Sequence, residues 1–519
     1  MDRKLRIKTL IISLFLLFLI GVGTFFYTGI SFRERITEVN LYSLVPSGCN
    51  AVFETNDLTS LIKEIKSTGY IKEFPSLKLS RIANDLMAHF DSWAISAPHG
   101  VSSGMNRMLI SFHSPGTETD QVAYFGTTPQ DDDWIEQQIK KSRPMDFPIK
   151  TVSYRGKKIK ICPMGGDSFL CYYKSVGFIA ASYSERLIKQ VIDTHVGGKS
   201  VLADPVFRLS QDYKNFNSIA SLHLKMKQMG WSELNIKFNR DAIRLSGTSM
   251  DADTSSSFVN ALKEQSSIEL LSKRELPRYT YYVNEIGISR LEYIAANSSQ
   301  QEYALTSYPD KVKAVDIHLV RFLKVYAANR LTSLSFYPED SIRRPLSLLY
   351  IPMKDSIKAE KDLQQFIQEK MQSGGKAQLL YAGVKSYQLY SLPKNTIFAQ
   401  LSGIKDADLN SYAVFYKNLL LLAPDPVSIL SYITQMDNYN TLKFDSPYNE
   451  CITRMSPHLN YMLMADLAEV SSHPDNRSRF IPEFFFLHAE FFNHFILSTQ
   501  FVCKNRMVYP NLTLTYKEN

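Results

Sequence analysis

Cys171-Tyr-Tyr-Lys-Ser-Val-Gly-Phe-Ile-Ala180 and Val414-Phe-Tyr-Lys-Asn-Leu-Leu-Leu-Leu-Ala423 read alike: an apolar and aromatic run, a short Lys-Ser or Lys-Asn turn, and a second apolar run. Short polar turns between β-rich runs mark hairpins. A helix is expected after each: one starts at Ser184 with Leu187, Ile188, Val191 and Ile192 on a stripe, the other at Asp425-Pro426 with Ile429, Leu430 and Ile433. Asp before Pro is a helix start, because the carboxylate accepts a free amide and proline sits where no donor is needed.

Working outward, the order of elements repeats. The helix-start signal recurs at Asp204-Pro205 and Ser446-Pro447, and a strand follows in Asn217–Leu224 and in Asn460–Leu467. Leu234–Leu245 and Phe495–Val508 each read as a closing hairpin. On the other side, Val45-Pro46 to Phe53 and Leu276-Pro277 to Val283 read as opening strands. Helical stripes come next, at Leu58, Leu61, Ile62 and Ile65, and at Ile288, Leu291 and Ile294. The expected fold is α+β: two pseudo-repeated units over 40–260 and 270–519. Each is an antiparallel sheet with helices on one face, since strands come in hairpins and not in βαβ crossovers.

At the amino end, residues 9–30 carry no charge and include Leu10-Ile-Ile-Ser-Leu-Phe-Leu-Leu-Phe-Leu-Ile20. That length spans a ~30 Å hydrocarbon layer as a helix. Arg3, Lys4, Arg6 and Lys8 precede it, so the positive-inside bias places residues 1–8 in the cytoplasm and the body outside. A cleaved signal peptide is the alternative, with Gly21-Val22-Gly23 as the small-residue site. Either way the body is exported, and the expected location is a bacterial inner membrane with a periplasmic body.

The Val45-Pro46 strand and helix, together with Val176–Ile192 leading into Asp204-Pro205-Val-Phe207, resemble a group of uncharacterised bacterial envelope proteins of Bacteroidetes type. These carry one N-terminal anchor and a domain of unknown function. The resemblance implies an extracytoplasmic location and supplies no activity and no site residues.

Chemistry is sparse. A net charge of +8 spread as pairs such as Arg343-Arg344 is no nucleic-acid footprint. Gly100-Val-Ser102-Ser-Gly104, after His99, fits the G-x-S-x-G of serine hydrolases. A nucleophile elbow needs strand, sharp turn and helix, whereas Trp93–Ala97 and Met108–Phe112 both read as strands, so a hairpin loop is expected. Asp131-Asp132-Asp133 complement a helix start more simply than they hold a metal. His488 and His494 frame Phe484-Phe-Phe486 and Phe491-Phe492, where an alternating strand is expected. The 29 Tyr and 31 Phe suggest β-sheet cores before a stacking surface. Five cysteines without C-x-x-C give no zinc site; Cys162 and Cys171 flank a turn and either pair or stand as two thiols. No phosphate loop, cofactor, catalytic residue or metal ligand is assigned. The expected function is a non-enzymatic, membrane-tethered envelope protein that binds another protein, lipid or polymer, with a cleft between the halves as its site. An envelope hydrolase using Ser102 and a ligand-free spacer are the alternatives.

Overall fold

The computed structural model describes residues 39–517, except 78–79, 97–104, 142–147, 165–167, 215–217, 227–229, 251–257, 271–272, 292–309, 339–343, 371–377, 396–397, 399–411, 443–450, 453–454 and 474–479. The expected membrane helix over 9–30 and the segment 1–8 lie outside these residues. Among the described residues no helix is long and apolar enough to cross a membrane. The chain forms two compact units: unit 1 runs up to Ile62 and resumes over Ser80–Asp204, and unit 2 takes Lys63–Leu79 and the chain from Pro205.

Unit 1 holds β1 (Cys49–Thr55), β2 (Met108–His113), β3 (Gln121–Gly126), β4 (Lys150–Tyr154), β5 (Lys157–Pro163), β6 (Phe169–Ser175) and β7 (Phe178–Ser182). They pair in the order β4-β5-β6-β7-β3-β2-β1, antiparallel throughout. Its helices are α1 (Leu58–Lys66, whose end passes into unit 2), α2 (Arg81–Ser96), α3 (Pro129–Lys141) and α4 (Glu185–His195). The stripe expected after Ser184 is all core: Leu187, Ile188, Val191 and Ile192 are fully buried, with α4 packed on β6 and β7. Trp93–Ser96, expected as strand, continue α2. Ile82 and Leu86 set a four-residue spacing, and the pattern is too long for a strand.

Unit 2 holds β8 (Ala220–Met226), β9 (Gly230–Phe238), β10 (Ala242–Met250), β11 (Ile268–Glu269), β12 (Thr280–Gly287), β13 (Arg330–Phe336) and β14 (Leu346–Pro352). It continues with β15 (Gln378–Ala382), β16 (Lys385–Ser391), β17 (Tyr412–Tyr416), β18 (Leu419–Ala423), β19 (His458–Leu459), β20 (Tyr461–Asp466), β21 (Phe495–Lys504) and β22 (Met507–Tyr516). The pairing order is β15-β16-β17-β18-β14-β13-β12-β20-β21-β22-β10-β9-β8. β11 and β19 form a separate ladder. Every residue of the central strand β12 is buried, and Val283 joins Leu334, Tyr350, Leu421 and Tyr432 in one core.

Two repeated units over 40–260 and 270–519 are therefore not what the described residues form: β8, β9 and β10, expected in the first repeat, belong to unit 2. Seven of the described strands pair in the sheet of unit 1 and thirteen in that of unit 2, antiparallel throughout, and the two strand orders are not repeats of one another. β10, expected to close the first repeat, pairs along its length with β22, expected to close the second, with Ile243 opposite Leu514 and Leu245 opposite Leu512. Left apart, each would be an edge of unpaired amides and carbonyls, and pairing removes both edges. The matched hairpins are also out of register. β17 and β18 turn at Lys417-Asn418, but β6 continues through Lys174-Ser175 and turns at Val176-Gly177, two residues further on. Gly177 adopts φ +84°, which glycine takes without steric penalty.

The β9–β10 hairpin leaves no room at Gly247, where a Cβ would stand 1.8 Å from the Glu233 carbonyl oxygen. Gly247→Ala is expected to lower unfolding free energy by about 3 kcal/mol in urea titrations. Gly48→Ala, whose Cβ meets nothing within 4 Å, should change it by less than about 0.5 kcal/mol.

Candidate functional site

Unit 1 contains a partly open cavity of about 200 Å³, built mainly from one sheet face and two helices, with Leu58 of α1 also lining it. Alternation along the strands puts Leu170 of β6, Ile179 and Ala181 of β7, and Phe125 of β3 on its floor. α2 contributes Arg81, Ile82, Asp85 and Leu86; α3 contributes Trp134, Ile135, Gln138 and Ile139. Both sets repeat at i, i+1, i+4 and i+5, so each helix turns one stripe to the gap.

α3 is capped at its start and tied to the sheet from its middle. Thr128 and Asp131 form a capping box: the Asp131 carboxylate accepts from the Thr128 amide at 2.7 Å and hydroxyl at 2.8 Å, and the Asp131 amide donates to the Thr128 hydroxyl at 3.3 Å. Further along, Glu136 takes Lys160 of β5 at 2.7 Å and Lys174 of β6 at 3.5 Å, which hold its carboxyl below the usual range against the opposing effect of burial. Beneath α3, Ile139 packs on Cys162 and Tyr172.

The polar groups of the cavity gather on α2. The Arg81 guanidinium lies 4.6 Å over the Tyr183 ring and donates to the Ser168 hydroxyl at 2.9 Å. The Tyr183 hydroxyl donates to Asp85, and burial, with this contact behind it, drives its pKa well above the usual phenol value. Gln138 faces them from α3. An apolar volume with a few convergent polar groups is the usual form of a small-molecule site.

The residues singled out in the sequence are placed elsewhere. Ser102, His99 and the rest of Gly100–Gly104 lie outside the described residues. They connect helix α2 to strand β2, the reverse of the strand-to-helix order of a nucleophile elbow. Asp131 serves as a helix cap. His488 and His494 are not on an alternating strand: Glu483–Leu487 and Ala489–Phe492 are short helices, in which Phe485, Phe491 and Phe492 turn inward. His494 sits 3.3 Å from Glu73, whose other carboxylate oxygen accepts from Tyr516 at 3.1 Å. Cys162 and Cys171 are separate thiols. Cys162 stands opposite Leu170 and Cys171 opposite Ile161, so alternation sends them to opposite faces of the β5–β6 ladder. Burial pushes the Cys171 thiol up to about 11. Among the described residues, no group of three or more His, Cys, Asp or Glu is placed to hold a metal ion.

Sequence reading missed a Ser–His pair. Ser111 Oγ lies 2.8 Å from His113 Nε2 and 3.2 Å from the Tyr124 hydroxyl. The i, i+2 spacing on β2 was a visible signal, since it puts both on one face. Ser111 is wholly buried and His113 is 3% exposed, so the pair is a core hydrogen bond that no substrate reaches.

Comparison of the chain with protein-family models, curated proteins and solved structures finds no match.

Burial, reinforced by Arg186, lowers the His113 pKa to about 4. The unfolded chain, with an ordinary histidine near 6.5, therefore binds the extra proton between pH 6.5 and 4, and stability falls as pH falls through that window. The shift corresponds to about 3 kcal/mol. Urea midpoints at pH 7 and 4.5 should differ more for the natural protein than for His113→Gln, whose amide keeps a hydrogen bond without titrating.

Proposed function

We propose that the chain is a membrane-tethered, extracytoplasmic binding protein of the bacterial envelope that holds an apolar ligand in the cavity of unit 1. The observation that carries this reading is the cavity itself. Protein interiors are close-packed, with few voids larger than a water molecule. A gap of about 200 Å³ exceeds the ~150 Å³ cavity that suffices to bind benzene when lined by Leu, Ile and Phe. A ligand-free spacer gives no reason to keep such a gap open. The uncharged stretch 9–30 and the cations before it support the tether and its direction, and the resemblance to Bacteroidetes-type envelope proteins supports the compartment. Binding, not turnover, is the role.

An alkyl probe bearing a diazirine, photolysed with the full chain in envelope membranes, should label the peptides around Trp134–Ile139 and Met164–Leu170. Ala181→Phe fills the floor without deleting a core side chain, and should cut that labelling by about tenfold, as expected when a buried hydrophobic contact of order 1.4 kcal/mol is lost. Uniform labelling, or labelling indifferent to Ala181→Phe, would argue against the site. Alkaline carbonate extraction that frees the uncleaved chain from membranes would argue against the tether.

A further inference from the structure

We infer that the ligand is a single-chain amphiphile with an anionic head, its tail in the cavity and its head on Arg81. This rests on the binding role proposed above and names the class of molecule bound.

The size of the gap sets the tail. About 200 Å³ open to water-sized groups, of which one water needs only ~10–15 Å³, is ample for a run of several methylenes. A single straight chain is the simplest occupant of a gap walled mainly by two helices over one sheet face. The lining sets its polarity, since Ile82, Leu86, Trp134 and Ile139 present only hydrocarbon and indole to most of the space.

Arg81 sets the head. The described partners of its guanidinium are the Ser168 hydroxyl and the face of Tyr183, neither of which carries charge. Five N–H donors in a planar fork leave several for an incoming oxyanion, and the fork matches carboxylate and phosphate geometry. The nearby carboxylate, Asp85, accepts the Tyr183 hydroxyl, and this bond turns the ring so that its face supports the guanidinium. Arg81 and Asp85 are one helical turn apart on α2, so the cation is held at the end of an apolar stripe and not inside it.

The test is calorimetry of the full chain in lipid nanodiscs, with heats from empty discs subtracted, against straight-chain carboxylates from four to twelve carbons. Matched alcohols and trimethylammonium compounds are titrated alongside. Affinity should rise about fourfold per methylene over the shorter chains and level off once the gap is filled. Carboxylates should bind at least about tenfold more tightly than the matched alcohols, and Arg81→Gln should erase that margin while the gain per methylene persists. Ammonium compounds that match the carboxylates, or a carboxylate margin that survives Arg81→Gln, would overturn the anionic head and leave the apolar site standing. Affinity independent of chain length would overturn the apolar site and this inference with it.

Discussion

The apolar stripes of α2 and α3 lie against one face of the β3–β7–β6 ladder and fail to close over it. That mismatch of shape is the constraint on which the functional reading of unit 1 depends. In a sealed core an unfilled gap of about 200 Å³ would cost on the order of 5 kcal/mol, at ~24 cal/mol per Å³. Partial opening to solvent reduces the penalty, yet the side chains around it still lack partners for dispersion contacts. α3 is tied to the sheet beside the gap. The Thr128–Asp131 box fixes the start of α3, Glu136 ties its middle to two strand lysines, and Ile139 is seated on Cys162 and Tyr172. Attachment of this wall helps keep the volume available.

Unit 2 solves a different problem, the burial of a long antiparallel sheet. β12 sits at its centre with both neighbours paired, and its Glu285 is fully buried. Arg330, on the adjacent strand, stands 3.7 Å from Glu285 and 2.9 Å from Glu275, and Thr332 donates to Glu285 at 3.4 Å. A buried carboxylate is tolerated only with such partners, and removing one of them typically costs more than the pair contributes. Lys63–Leu79 belong to this unit because Tyr70 packs on Phe495 and Tyr516 and donates to the Ala242 carbonyl at 3.2 Å, which ties the segment to the β10–β22 seam.

Local signals were legible and long-range pairing was not. The stripe Leu187, Ile188, Val191, Ile192 and the Asp425-Pro426 start were readable because periodicity and capping act within a few residues. Asp425 indeed accepts from the Ser428 amide at 2.8 Å. The hairpins β6–β7, β9–β10, β17–β18 and β21–β22 were readable for the same reason. The partnership of β10 with β22, across more than 250 residues, leaves no trace in either strand, since a strand's own residues set which face is buried and not which strand it pairs with. Trp93–Ala97 misled because a five-residue window cannot tell a strand from the end of a helix, and Trp93–Ser96 end α2. The aromatic run at Phe484–Phe492 misled because β-propensity yields to tertiary packing. The cavity was illegible for a further reason. Its lining comes from α1, α2, α3, β3, β6 and β7, and nothing in Ile82 or Trp134 alone distinguishes a residue that fills space from one that borders it.

The most direct measurement is a crystal structure of the protein under xenon pressure. Xenon enters apolar cavities that stay free of water and needs no polar partner. An unfilled gap predicts a xenon atom among Ile82, Trp134, Ile139 and Ile179. Side chains collapsed into that space, or a chain of hydrogen-bonded waters filling it, would contradict the account.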